Sequence, residues 1–200
     1  MSGATVSVEM GETRVARGAG ERLVAHGLGA CVCLCLYDTV ARLAAMVHIV
    51  LPETVPIKPS GPSAQSHTPP PGRCADTAVR HVIAQMVEMG ARLDRLQAAI
   101  AGGSQIFSHA TGADKASPTL SRLEIGPRNV QAVRAALTTA RVPLVAQDVG
   151  GSSGRNVTFC VGNGDVHVRR IGADEKLLAT IGVAAPTPVL RREEALHAGH

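Results

Sequence analysis

The 200-residue chain predicts a layered α/β sandwich with mixed, largely antiparallel β-sheets and flanking helices. Three observations carry that expectation. Short apolar runs bounded by glycine and proline outnumber helical stretches, hairpin signals lie beside strand–helix–strand runs, and two segments place apolar residues at helical spacing. Apolar residues make up 45% of the chain, enough for a real core, and with no Trp that core is built from Ala, Val, Leu and Ile.

The elements follow in order. Residues 1–20 predict an opening strand, "TVSVEM", and then a glycine-rich turn. From 22 to 51 the pattern predicts a long β-hairpin, with arms "ACVCLCLYD" and "RLAAMVHIVLP" joined through Asp38–Ala41 and closed by Pro52. Both faces of both arms are apolar, so the hairpin is expected between other layers. "ADTAVRHVIAQMVEMG" sets Ala78, Val79, Val82, Ile83, Met86 and Val87 at helical spacing, with Gly90 as the stop. "RLQAAIAGG" predicts a strand entering a tight glycine turn. "GPRNVQAVRAALTTARV" predicts a helix started by Pro127, with Val130, Val133 and Leu137 along one side. "PLVAQDVGG", "NVTFCV" and "DVHVRRI" predict three strands, the last two joined by a "GNGD" turn. Residues 1–182 are thus expected to form one domain, with loop insertions near 54–72 and 108–122. Residues 183–200 show no core face and predict a flexible tail.

Composition narrows the function classes. The net charge of +4 is carried by 17 arginines and three lysines, scattered rather than clustered. Neither a basic block nor aromatic stacking platforms mark a nucleic-acid surface, and a weakly basic surface suits an acidic protein partner. The start has no apolar signal region, and the longest apolar stretches are about half the ~20 residues a membrane helix needs, so no membrane insertion is expected. Five cysteines, three at alternate positions of one strand, predict a reducing, cytoplasmic setting rather than a disulfide framework.

The chemistry concentrates in "HGLGACVCLCLYD", with Cys31, Cys33 and Cys35, and in the one histidine of the facing arm, His48. A four-residue loop 38–41, closed by Tyr37 and Arg42, sets Cys31 opposite His48 and Cys33 opposite Met46. Directly opposed residues share a face with Cβ atoms about 4.5–5.5 Å apart, close enough for a thiol–imidazole dyad. Cys33 and Cys35 lie deeper, where cysteine behaves as a small inert hydrophobe. Cys31 stands at the mouth behind Gly29 and Ala30, where free backbone N–H groups suit an oxyanion hole. In such a pair an imidazolium lowers the thiol pKa and makes the nucleophile available. Two plainer readings stand beside this one. The cysteines can be core filler, or they can join His48 around zinc, although C-x-C-x-C on a strand is not the usual chelating spacing. No cofactor is implied.

These residues also carry a resemblance. "GLGACVCLCLYD", the His48 segment ending in "LPE", "CADTAV", "AAIAGGSQIF", "IGPRNVQAV" and "DVGGSSGRNVTF" occur here in the order in which they recur in the CheD family, across about residues 5–172. The resemblance implies a cytoplasmic cysteine hydrolase that converts glutamines of methyl-accepting chemoreceptors to glutamate and releases ammonia. Its nucleophile and base fall on Cys31 and His48. Some members also bind CheC-type phosphatases, which implies a second partner and, as the alternative reading, a non-catalytic adaptor. Two positions depart from the family pattern: Ala25 stands where Thr is common, and Ala30 where Ser is common. The expectation is then that the Ala25 carbonyl, or a water, orients His48. Asn129 and Asp148 are expected to hold loop backbone.

Overall fold

The computed structural model describes residues 3–54, 70–105 and 124–182. The expected insertions near 54–72 and 108–122 fall mostly outside the described residues, and the expected tail 183–200 wholly so.

A single hairpin organises everything else. Its arms are β4 (Val32–Asp38) and β5 (Leu43–Ile49), and every residue in both is buried. Strands β2 (Thr13–Arg17), β6 (Gln97–Gly102) and β7 (Leu144–Val149) complete a five-stranded sheet in the order β2-β5-β4-β6-β7. A second sheet has the order β1-β3-β8-β9-β10. It contains β1 (Thr5–Ser7), β3 (Arg22–Leu28), β8 (Arg155–Cys160), β9 (Asp165–Arg170) and β10 (Glu175–Thr180). Among the described strands only β1–β3 and β6–β7 pair in parallel, so both sheets are mixed and largely antiparallel.

Helix α1 (Ala75–Glu88) connects β5 to β6, and α2 (Ile125–Thr139) connects β6 to β7. Both are crossovers between parallel strands, moving the same way across the sheet. The right-handed rule therefore puts them on one face. Side-chain alternation then divides the core. Val32, Leu34, Leu36, Leu43, Ala45, Val47 and Ile49 pack under the helices with Ala78, Val82, Met86, Val133 and Leu137. Cys33, Cys35, Tyr37, Ala44 and Met46 face the other sheet, against Leu23, Leu28, Val157 and Phe159. The only tyrosine packs edge-on to Phe159, with ring centroids 6.0 Å apart, and its hydroxyl donates to the Val161 carbonyl at 3.0 Å. The layers run helices, sheet, sheet.

Three expectations need correction. The hairpin register is displaced by one residue on each arm: Asp38 pairs with Leu43, and Cys33, not Cys31, stands opposite His48. The cause lies in the turn. Asp38 Oδ1 accepts the N–H groups of Val40 (2.9 Å) and Ala41 (3.0 Å), and Arg42 takes a positive φ of 49°. That Asx-type turn moves the loop to residues 39–42. The displacement preserves each residue's face, so Cys31 and His48 still share the space between the sheets.

Second, residues 22–28 are not part of that hairpin but a strand of the opposite sheet, paired with β1 and β8. Third, β2 and β10 are strands where a turn and no element were expected. Both are edge strands, "TRVAR" and "EKLLAT", whose charged or exposed residues mask the period-two signal. The remaining strands and both helices fall where the sequence predicts them. Val87, expected on the core face of α1, is exposed.

Asp38 holds the register and is wholly buried. Burial pushes its carboxyl upward. The N–H groups of Ala41 and Arg92 and the Arg95 guanidinium overcome that and hold it below the ordinary carboxylate range. A lowered folded pKa stabilises the fold above the unfolded value, and this contribution is lost as pH falls below about 3.9. Asp38→Ala is expected to lower unfolding stability by about 1.5–3 kcal/mol, the range for charge-assisted hydrogen bonds. Denaturant melts of the two proteins should also converge as pH drops through that window.

Candidate active site

Cys31 lies at the junction between the sheets, after β3 ends at Leu28 and before β4 begins at Val32. It is half-buried, whereas Cys33 and Cys35 are 1% exposed, with their sulfurs 3.9 Å apart. Of the three thiols in the run, only that of Cys31 can meet a substrate. Exposure separates Cys31 from Cys33, although Cys33 is the residue directly opposite His48.

The peptide around Cys31 is clamped from one side by the turn after β6. Gly103 N–H donates to the Cys31 carbonyl (2.8 Å), and Ser104 N–H donates to the Gly29 carbonyl (2.7 Å). This approach requires glycine. Gly102 has φ 121°, and a Cβ there would lie 2.1 Å from the Cys31 oxygen.

Arg155, fully buried at the start of β8, holds that turn in place. Its Nη1 donates to the Gly102 carbonyl (2.9 Å) and Ser104 Oγ (2.7 Å), and its Nη2 to the Gly150 carbonyl (2.7 Å). Asp148 faces it at 3.0 Å and also pairs with Arg170 at 2.8 Å. A buried cation with a carboxylate partner and three further acceptors meets the conditions under which such burial is tolerated. Asp148 therefore acts on loop backbone through Arg155. Sequence reasoning missed Arg155 and Ser104. The available signal was a charged residue opening the apolar alternation of "RNVTF".

His48 is 4% exposed, in the last turn of the β5 ladder. Its Nδ1 lies 3.1 Å from the Val8 carbonyl, which fixes that nitrogen as the N–H donor and leaves the lone pair on Nε2. Nε2 is buried and has no hydrogen-bond partner among the described residues. Backbone bonds from Gly11 N–H to the His48 carbonyl (2.8 Å) and from His48 N–H to the Glu12 carbonyl (3.1 Å) hold the same segment.

The orienting carbonyl is thus that of Val8, not Ala25, which overturns the expectation for residue 25. Ala25 is buried within β3, paired with Val157, and its part is packing between the sheets. No sequence signal marks Val8, because it acts through its backbone. The neighbouring His26 is exposed on β3.

The electrostatics also differ from expectation. Burial pushes the Cys31 thiol up, opposed by its own N–H, which lies against the sulfur. Burial pulls His48 down, opposed by the Val8 carbonyl and the charge of Glu9. Taken singly, burial favours the neutral form of each group, the thiol of Cys31 and the imidazole of His48. Among the described residues no group of three or more His, Cys, Asp or Glu side chains is placed to hold a metal ion. Iodoacetamide is expected to label Cys31 before the other two cysteines of the run, at a rate that climbs steadily through pH 9. A rate plateau reached by pH 7 would instead mark a thiolate–imidazolium pair.

The comparisons bear on this arrangement. Residues 51–170 match the family model described as CheD chemotactic sensory transduction, a stretch that opens just after His48 and contains Asn129, Asp148 and Arg155. A Symbiobacterium thermophilum protein named probable chemoreceptor glutamine deamidase CheD is 39% identical over 169 residues, covering 84% of this chain and 94% of that one. The chemoreceptor glutamine deamidase CheD of Thermotoga maritima is 36% identical over 170 residues, 85% of this chain and 94% of its own. The protein of that name from Bacillus subtilis is 33% identical over 173 residues, 86% and 95% of the two chains. A family-model match over more than half the residues, joined to relatives aligned over nearly their full length, leads to one conclusion: the chain belongs to the CheD family.

Proposed function

We propose that the chain is a chemoreceptor glutamine deamidase in which Cys31 is the nucleophile and His48 the base. One observation carries the reading. His48 presents a buried, unpartnered Nε2 on the same inter-sheet face as the half-exposed thiol of Cys31. The names of the relatives supply the substrate class.

Burial favours the neutral form of each group, so the first step in this reading is general-base catalysis. His48 Nε2 takes the thiol proton as the Cys31 sulfur attacks Cδ of a glutamine side chain. Backbone N–H groups along Gly29, Ala30 and Cys31 stabilise the oxyanion. Collapse breaks the C–N bond, and the proton on His48 leaves with ammonia, giving a thioester. Water then loses a proton to His48, attacks the thioester and releases glutamate and the thiol. The net reaction consumes one water and forms one ammonia and one carboxylic acid.

This reading carries a cytoplasmic location, the cytoplasmic domain of methyl-accepting chemoreceptors as substrate, and a CheC-type phosphatase as a second partner. The non-catalytic adaptor drew its support from Ala25. The Val8 carbonyl now meets the need that residue 25 was thought to leave open.

Cys31→Ala and His48→Ala are each expected to abolish ammonia release from a purified receptor fragment, while Cys33→Ala keeps it. Mass spectrometry of the fragment should show a gain of about 1 Da per modified glutamine with the wild type and Cys33→Ala and none with the other two variants, as amide-to-acid hydrolysis requires. Retention of activity in either of the first two variants would refute the dyad. His48 must be neutral to accept a proton, and burial holds its pKa below the ordinary 6.5. The rate is therefore expected to stay level from pH 7.5 down to about 6.5 and to fall only at lower pH, which a pH–rate profile checks.

A further inference from the structure

We propose that Asn129 is a positioning residue for this reaction: its side-chain amide ties the Cys31 arm to the His48 arm and aims the Cys31 N–H at the developing oxyanion. The inference rests on Cys31 and His48 acting as nucleophile and base.

Asn129 sits in the first turns of α2 and is wholly buried. Its Nδ2 donates to two carbonyls, of Ala30 and of Val50, each at 2.9 Å. Ala30 immediately precedes Cys31, and Val50 follows His48 by two residues. One amide from the helical layer therefore bridges the two chain segments that carry the reacting groups. Its Oδ1 is buried with no partner among the described residues. A buried amide with an unmet acceptor lowers stability, so the residue is poorly chosen for packing and well chosen for holding two carbonyls.

Peptide geometry converts that hold into an aim. No peptide bond among the described residues is cis, so each C=O points opposite to the N–H of the same unit. Three consecutive carbonyls are anchored: Gly29 by Ser104 N–H, Ala30 by Asn129 and Cys31 by Gly103 N–H. The N–H groups of Ala30 and Cys31 must then point away from their anchors. Neither donates to an acceptor elsewhere among the described residues, and that of Cys31 lies against its own sulfur. An attacked amide carbon bonded to that sulfur would place its oxygen within reach of this donor.

Asn129 anchors the peptide whose N–H belongs to the nucleophile itself. The Gly102–Gly103 peptide, which anchors the next carbonyl, is backed in turn by Arg155 Nη1 and Gly150 N–H, each at 2.9 Å. Asn129 is the anchor supplied by a side chain, so substitution can remove it without altering the backbone.

The test compares Asn129→Asp, which keeps the shape and removes both donors, with Asn129→Ser, which is too short to bridge the carbonyls. For each, kcat and KM for ammonia release from a receptor fragment are measured beside iodoacetamide alkylation of Cys31, per folded molecule. Alkylation builds no oxyanion. The expected result is a kcat lower by about 10- to 100-fold, with KM and the alkylation rate within about twofold of wild type. A folded variant with wild-type kcat overturns the proposal. So does a loss of kcat matched by an equal loss of alkylation, which marks a merely structural role. If Asn129→Asp does not fold, Asn129→Ser decides alone. Activity surviving Cys31→Ala would remove the underlying reading. Activity lost there but intact in both Asn129 variants would remove only this one.

Discussion

The register between β4 and β5 is the constraint from which the rest follows. Both arms are buried on both faces, so alternate residues belong to different cores. Sliding one arm by a single residue would drive Leu34 and Leu36 between the sheets and carry Cys33 and Cys35 under the helices. The carboxylate of Asp38 selects the turn that forbids this. Every later feature inherits that choice: the face shared by Cys31 and His48, the position of Cys31 beyond the end of the ladder, and the depth at which Cys33 is hidden.

Around that mouth the protein accepts buried polar groups without partners. Four buried side-chain polar atoms lack partners among the described residues, and two of them, His48 Nε2 and Asn129 Oδ1, belong to residues at this end of the hairpin. The buried Arg155 stands close by, behind the Gly102 turn. Two such local costs beside a buried cation are consistent with the site proposed there. Burial favours the neutral form of Cys31 and of His48, so on the proposed reading the charge separation belongs to the reaction itself.

Much of this was legible in the residues, for reasons that differ from place to place. Runs buried on both faces, such as "VCLCLYD" and "LAAMVHI", announce a central hairpin, and the helical stripes of Val79, Val82, Met86 and of Val130, Val133, Leu137 announce the crossovers. Parity was enough to put Cys31 and His48 on one face, although the loop position was read one residue early on each arm. Edge strands stayed hidden, because β2 and β10 make their ladders through backbone while their side chains meet water. The contribution of Val8 was hidden for a related reason: a carbonyl leaves no mark in a sequence. Arg155 was legible only as an oddity, a charge at the head of an apolar run.

The groups that complete the site come from far apart along the chain. The carbonyl bound to His48 lies 40 residues before it, and the guanidinium behind Gly102 lies 53 residues after that glycine. Contacts closed over such distances form late, after the local hairpin has already collapsed. During synthesis the hairpin therefore emerges before the clamp from the Gly102 turn and the backing that β8 brings. On the proposed reading, a chain still on the ribosome would hold Cys31 and His48 in an unarmed form until the second sheet has closed over the first.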